Sequence, residues 1–150
     1  MALDPETLLR EAKALQEELV ALRRDIHAHP ELGSCEVRTT ALIKKYLEEL
    51  GIEVRPCTET GVLGILYGGK PGKTIGLRAD IDALPIQEET GLPFASKNAG
   101  VMHACGHDLH TASLMGAAKI LSAHRDALCG NVKFFFQPDE EGNGGAERMV

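Results

Sequence analysis

Residues 130–142 read GNVKFFFQPDEEG, and the architecture turns on how that stretch begins and ends. Val132-Lys-Phe-Phe-Phe136 is a short bulky run of the kind that fills a buried central strand. Gly130 and Asn131 read as the turn that delivers it, and Pro138, which has no amide hydrogen for a ladder, stops it. Glu140 and Glu141 therefore lie just past the carboxyl end of a strand. In open α/β sheets that end forms the ligand crevice, so other polar clusters at strand ends are expected to converge with the acidic pair.

Two such clusters lie upstream. His103-Ala-Cys-Gly-His-Asp-Leu-His110 precedes a helix predicted over 107–124, with Ala112, Met115, Ala118 and Leu121 on one stripe. Asp80-Ile-Asp82 follows a strand predicted over 73–79, where Ile75, Leu77 and Ala79 alternate. Ile52 and Val54, then residues 61–67, read as further strands. GGKPG at 68–72 reads as the turn of a hairpin into the 73–79 strand. Residues 86–104 have no periodicity, and a loop that long inside a compact domain is usually functional.

Two helices precede the strands. The first starts at Asp4 as N-cap, with Pro5 behind it, and carries Leu8, Ala12, Leu15, Leu19, Leu22 and Ile26 to a stop before Pro30. The second runs from Ser34 as N-cap to Gly51 as left-handed cap. A last helix begins within 142–150 and reads as cut in its second turn, as in a fragment of a longer protein. The expected fold is α/β, a mixed sheet with flanking helices.

Composition narrows the function. The chain has 150 residues, 16 basic and 22 acidic side chains, a net charge of −6, a sequence pI near 5.5 and 43% apolar residues, which describe one globular domain. Six aromatics, none of them Trp, and no basic footprint argue against nucleic acid as a partner. No apolar run reaches the ~18 residues of a membrane span. Asp4 and Glu6 stand where a signal peptide carries positive charge, so a cytoplasmic protein is expected. Cys35, Cys57, Cys105 and Cys129 form no CxxC pair, and no disulfide is expected.

Cys105-Gly-His107 sets a thiolate and an imidazole two residues apart, with a glycine that lets both face one ion. Thiolate, imidazole and carboxylate together suit zinc or a neighbouring transition metal better than calcium or magnesium. The alternative for Cys105 is a buried inert thiol. Glu140 and Glu141, adjacent in an extended or turning segment, point in different directions. One of them can bind a metal while the other takes a proton from activated water, or both can form a solvated acidic turn. Asp80 and Asp82 can tune a ligand or shape the turn before Pro85. Asp108 can orient a ligand or simply complement the helix dipole, and His110 can bind metal, orient a ligand or touch substrate. His27 and His29 sit where imidazolium complements a helix C-terminus.

Four motifs together, RRDIHAHPELG at 23–33, LRADIDALPIQE at 77–88, MHACGHDLHTASLMGAA at 102–118 and FQPDEEGNGGAERMV at 136–150, closely resemble the metal-dependent amidohydrolases of the aminoacylase and carboxypeptidase family. The likeness is to the branch with hippurate hydrolases, auxin-conjugate hydrolases and N-acyl-amino-acid deacylases, and it spans essentially the whole chain in order. It implies hydrolysis of the amide of an N-acyl or N-aroyl amino acid at a dinuclear site of zinc, manganese, nickel or cobalt. Cys105, His107 and Glu141 would be ligands and Glu140 the general base; beside them, the reading of the residues keeps Asp80, Asp82, Asp108 and His110 as candidates to orient ligands or touch substrate. Members of that family carry further ligand histidines downstream and an inserted dimerisation domain, and are expected to be homo-oligomers. Residues 1–150 would then be the N-terminal portion of the catalytic domain, and three protein ligands would hold one ion. Two rival readings remain, a thiol hydrolase with Cys105 as nucleophile and a metal-binding fragment without turnover.

Overall fold

The computed structural model describes residues 4–142 and 144–150. The N-terminal helix forms as two pieces, α1 (Pro5–Ala14) and α2 (Gln16–Ala28), divided at Leu15, where ψ is −2°. The amides of Leu15 and Leu19 still bond to the carbonyls of Glu11 and Leu15, so the expected single helix is interrupted at one residue only. Asp4 caps α1 by accepting from the amides of Glu6 and Thr7.

The next helix, α3 (Val37–Glu49), departs from the sequence reading at its start. Ser34 is not its N-cap: it takes a left-handed backbone, φ 64°, and its hydroxyl donates to Asp139 at 3.0 Å. The orphan amides of Arg38 and Thr39 are satisfied by the carboxylate of Glu31, each at 2.8 Å, from outside the helix. Gly51, φ 66°, ends the helix as expected, with its amide on the Glu48 carbonyl and that of Ile52 on Leu47.

Four strands, β1 (Glu53–Pro56), β2 (Val62–Tyr67), β3 (Lys70–Asp80) and β4 (Cys129–Gln137), make one mixed sheet in the order β1-β2-β4-β3. The 129–137 strand is central, as its bulk predicts, but Gly130 and Asn131 belong to it rather than to a turn. The expected β2–β3 hairpin does not form. Instead β4 slots between the two strands, antiparallel to β2 and parallel to β3. The glycines read as a tight turn serve a crossing: Gly68 donates to the Gly130 carbonyl, and a Cβ on Gly130 would lie 1.9 Å from the Lys73 carbonyl oxygen.

Between β3 and β4 run the irregular 86–104 segment and α4 (His107–Ala123), which supplies the crossover that parallel strands require. Val62, Leu66, Val132, Phe134 and Phe136 from the sheet pack with Ile43 and Leu47 of α3 and Leu114, Met115 and Ala118 of α4. Phe134 and Phe136 are fully buried. Edge strand β3 remains open, with Ile75 55% exposed. The last helix is α5 (Gly145–Met149); Asn143, in the segment where its start was expected, lies outside the described residues. All four cysteines are free, and no helix among the described residues is long and apolar enough to cross a membrane.

Candidate metal centre

Parallel pairing of β3 with β4 sets Asp80 beside Gln137 in register, so the chain leaves both strands at the same sheet edge. The amide of Ile81 extends the ladder by one bond to the Gln137 carbonyl, and Asp82 follows, 1% exposed. Beyond β4, Asp139 turns the chain with a left-handed backbone, φ 53°, which Asp adopts at low cost. That turn carries Glu140 and Glu141 back toward Asp82, whose Oδ2 accepts the Glu141 amide at 2.9 Å.

The start of α4 arrives at the same edge. Gly106 precedes it with φ 82°, a conformation that a side chain would strain, and His107 is the first helical residue. The Nδ1 of His107 bonds to the Asp82 carbonyl at 2.9 Å and to its Oδ1 at 3.2 Å. This fixes the ring and directs Nε2 toward Glu140 and Glu141, at 3.8 and 3.9 Å. Cys105, His107 and Glu141 each offer a donor atom, and those atoms lie within 4.8 Å of one another.

Charge explains the protonation of the group. The Glu141 carboxylate beside it, with some desolvation and the charges of Glu140 and Asp82, pushes the thiol of exposed Cys105 up to about 11. A nucleophilic cysteine needs the opposite environment, so a thiol hydrolase is poorly served here. A cation among the same donors removes that penalty, because it pairs with the carboxylates and favours the thiolate. Soft sulfur, imidazole nitrogen and carboxylate oxygen fit a transition metal. Burial resists ionisation of Asp82, but the bonds it accepts from His107 and the amides of Glu141 and Glu140 prevail and hold its carboxyl below the usual range. The Asp82 hydrogen bond in turn raises the His107 imidazole against the effect of burial.

The remaining candidates divide. Asp80 and His110 flank the same imidazole: Oδ2 of Asp80 and Nδ1 of His110 are 3.7 Å apart, and both residues join His107 in a second group of donors within 4.8 Å. Asp80 also pairs with Arg78. Asp108 points the other way. Its side chain is fully buried, and its Oδ2 takes Nε of Arg23 at 2.6 Å and Nδ1 of His27 at 2.7 Å. His103, two residues before Cys105, also turns inward; it is 3% exposed, and burial pushes it down to about 4, which keeps the ring neutral. The reading of His27 as a dipole complement misses this buried network. Its one sequence signal is that His27 continues the Leu19–Arg23 stripe of α2 at four-residue spacing.

Residues 76–150 match peptidase family M20/M25/M40. An N-acetyl-L-cysteine deacetylase of Bacillus subtilis is 52% identical over 91% of this chain and 33% of its own length. An N-acyl-L-amino acid amidohydrolase of Geobacillus stearothermophilus is 48% identical over 97% of this chain and 40% of its own. Among solved structures, a Bacillus subtilis dinuclear metal binding peptidase is similar with a TM-score of 0.82 and 53% identity, over 86% of this chain and 37% of that one. The chain thus spans between a third and two-fifths of the length of these curated relatives.

Proposed function

The chain belongs to peptidase family M20/M25/M40, and from that premise we propose that it is the N-terminal portion of the catalytic domain of an amidohydrolase acting on N-acyl amino acids. The observation that carries the reading is the group Cys105, His107 and Glu141 within 4.8 Å, with Glu140 on the same imidazole nitrogen. Cys105, His107 and Glu141 would hold one divalent transition-metal ion, and the complete protein would hold two, as its dinuclear relative does. When bound, such ions polarise the amide carbonyl and lower the pKa of water toward neutrality. The Glu140 carboxylate, 3.8 Å from Nε2 of His107 and 38% exposed at its side chain, takes the proton from water and delivers it to the leaving nitrogen. Asp82 keeps the proton of His107 on Nδ1 and leaves Nε2 for the ion. Asp80 and His110 border the site where substrate would lie. Relatives that act on N-acetyl-L-cysteine and on N-acyl-L-amino acids support this substrate class.

The test is release of free amino acid from N-acetyl and N-benzoyl amino acids by the complete protein, before and after chelation. Loss of turnover on chelation and recovery with zinc, manganese, nickel or cobalt is expected. Turnover that survives chelation but not thiol alkylation would transfer the chemistry to Cys105. Metal uptake without turnover on any acyl amino acid would leave a metal-binding module.

A further inference from the structure

The motif at 23–33 contributes nothing directly to the metal group, yet it buries an imidazole between two carboxylates. His27 lies on the last turn of α2, 3% exposed, with both ring nitrogens on carboxylates: Nδ1 is 2.7 Å from Oδ2 of Asp108 and Nε2 is 3.2 Å from Oε1 of Glu88. A ring nitrogen that carries hydrogen donates to the carboxylate it faces. Each carboxylate belongs to a segment that ends in the metal group. Asp108 directly follows His107, so its bond to His27 fastens the first turn of α4 to α2. Arg23, one turn earlier on α2, adds a second bond to the same oxygen at 2.6 Å. Glu88 opens the 86–104 segment that leads to Cys105. Its other oxygen accepts the Ser96 amide at 2.6 Å, closing the segment on itself. Phe94 from that segment sits edge-on to the His27 ring at 5.6 Å and beneath the Arg23 guanidinium at 5.1 Å. The amide of Lys97 bonds to the Ala28 carbonyl and the side chain of Asn98 to that of Pro30, so the end of α2 holds the segment at three points.

We infer that His27 is a positioning residue for the metal centre: a two-armed bracket whose Asp108 arm sets the backbone of His107 and whose Glu88 arm sets the segment running to Cys105. The His107 side chain is aimed by Asp82 from the sheet, while its backbone is held by Asp108 from the helical layer, and a ligand fixed from both sides meets the ion without reorganising. The Asp108 arm is the stronger, because it is shorter, fully buried and reaches the residue next to a ligand, whereas Cys105 lies seventeen residues beyond Glu88.

The inference rests on the metal site proposed above, and its test separates the two arms. In the complete protein, His27→Asn places an amide nitrogen where Nδ1 stood and preserves the Asp108 bond, while His27→Gln reaches the Nε2 position and preserves the Glu88 bond. Both lose the ring, so a merely structural role lowers the unfolding temperature of both metal-free variants and leaves zinc affinity alone. Positioning predicts that zinc affinity, measured by competition with a chromophoric chelator, stays within about threefold of the parent in His27→Asn and falls about tenfold or more in His27→Gln. Equal affinity in parent and both variants overturns the bracket while leaving the metal site intact. Equal loss in both overturns the division between arms. If no form takes up zinc, manganese, nickel or cobalt, the metal site itself falls and the bracket with it. If zinc is held but no acyl amino acid is cleaved, only the proposed activity fails.

Discussion

Replacing Asp82 by Asn is nearly isosteric, yet it should damage the metal centre more than its size suggests. Each carboxylate oxygen of Asp82 accepts from a different donor, Nδ1 of His107 at 3.2 Å and the Glu141 amide at 2.9 Å. An Asn amide has one oxygen and one NH2 group, so either orientation sets a donor against a donor. Facing the oxygen to Glu141 turns the NH2 on His107, and a neutral ring relieves that clash by moving its hydrogen to Nε2, the nitrogen needed for the ion. Facing it to His107 repels the Glu141 amide and shifts the acidic turn. The residue is 1% exposed, so water does not relieve the mismatch. A buried donor left without its acceptor costs about 1–3 kcal/mol, equivalent to roughly 5- to 150-fold in an equilibrium constant. The Asp82 carbonyl, 2.9 Å from the same Nδ1, persists in the variant and favours the lower half of that range. Zinc affinity by chelator competition and the unfolding temperature of the metal-free protein are the two assays. Asp82→Asn that binds zinc within twofold of the parent and unfolds at the same temperature would refute the reasoning.

Three further outcomes are expected. In the complete protein, Glu141→Ala should lose bound metal and turnover together, whereas Glu140→Gln should keep metal and lose turnover by about 10²-fold; elemental analysis beside kinetics decides, and the reverse pattern exchanges the two roles. The isolated 150-residue chain should self-associate through the open edge of β3, where Ile75 is 55% exposed, and Ile75→Lys should shift it toward monomer in sedimentation; a parent that is already monomeric at high concentration removes the basis for this. Burial raises the Glu88 carboxyl, but its bonds with Thr90, the Ser96 amide and His27 prevail and hold it below 4.5, so its contribution to stability is complete above that pH and is lost as pH falls through the folded value. The difference in unfolding temperature between parent and Glu88→Gln should therefore be constant above about pH 4.5 and close below it, and a constant difference down to pH 3 would contradict the ionised pairing.

What the sequence determined by itself is mostly local. Asp4 and Gly51 mark helix ends through bonds to amides a few residues away, and the bulk of Val132–Phe136 places that strand at the centre of a sheet wherever its partners lie. The convergence of Asp80, Cys105, His107, Glu140 and Glu141 was also legible, because each cluster adjoins a strand end or a helix start and the carboxyl edge of a parallel pair gathers them. Strand order was decided only in three dimensions. GGKPG is compatible with a hairpin by every local rule, but a strand more than fifty residues later pairs its backbone with both neighbours, and burying Phe134 and Phe136 on the sheet face against α3 and α4 outweighs one tight turn. The cap of α3 passed from Ser34 to Glu31, and Asp108 turned from the site toward His27, for a similar reason. A side-chain hydrogen bond forms with whichever buried donor or acceptor packing brings near, and spacing along the chain carries no record of a partner eighty residues away.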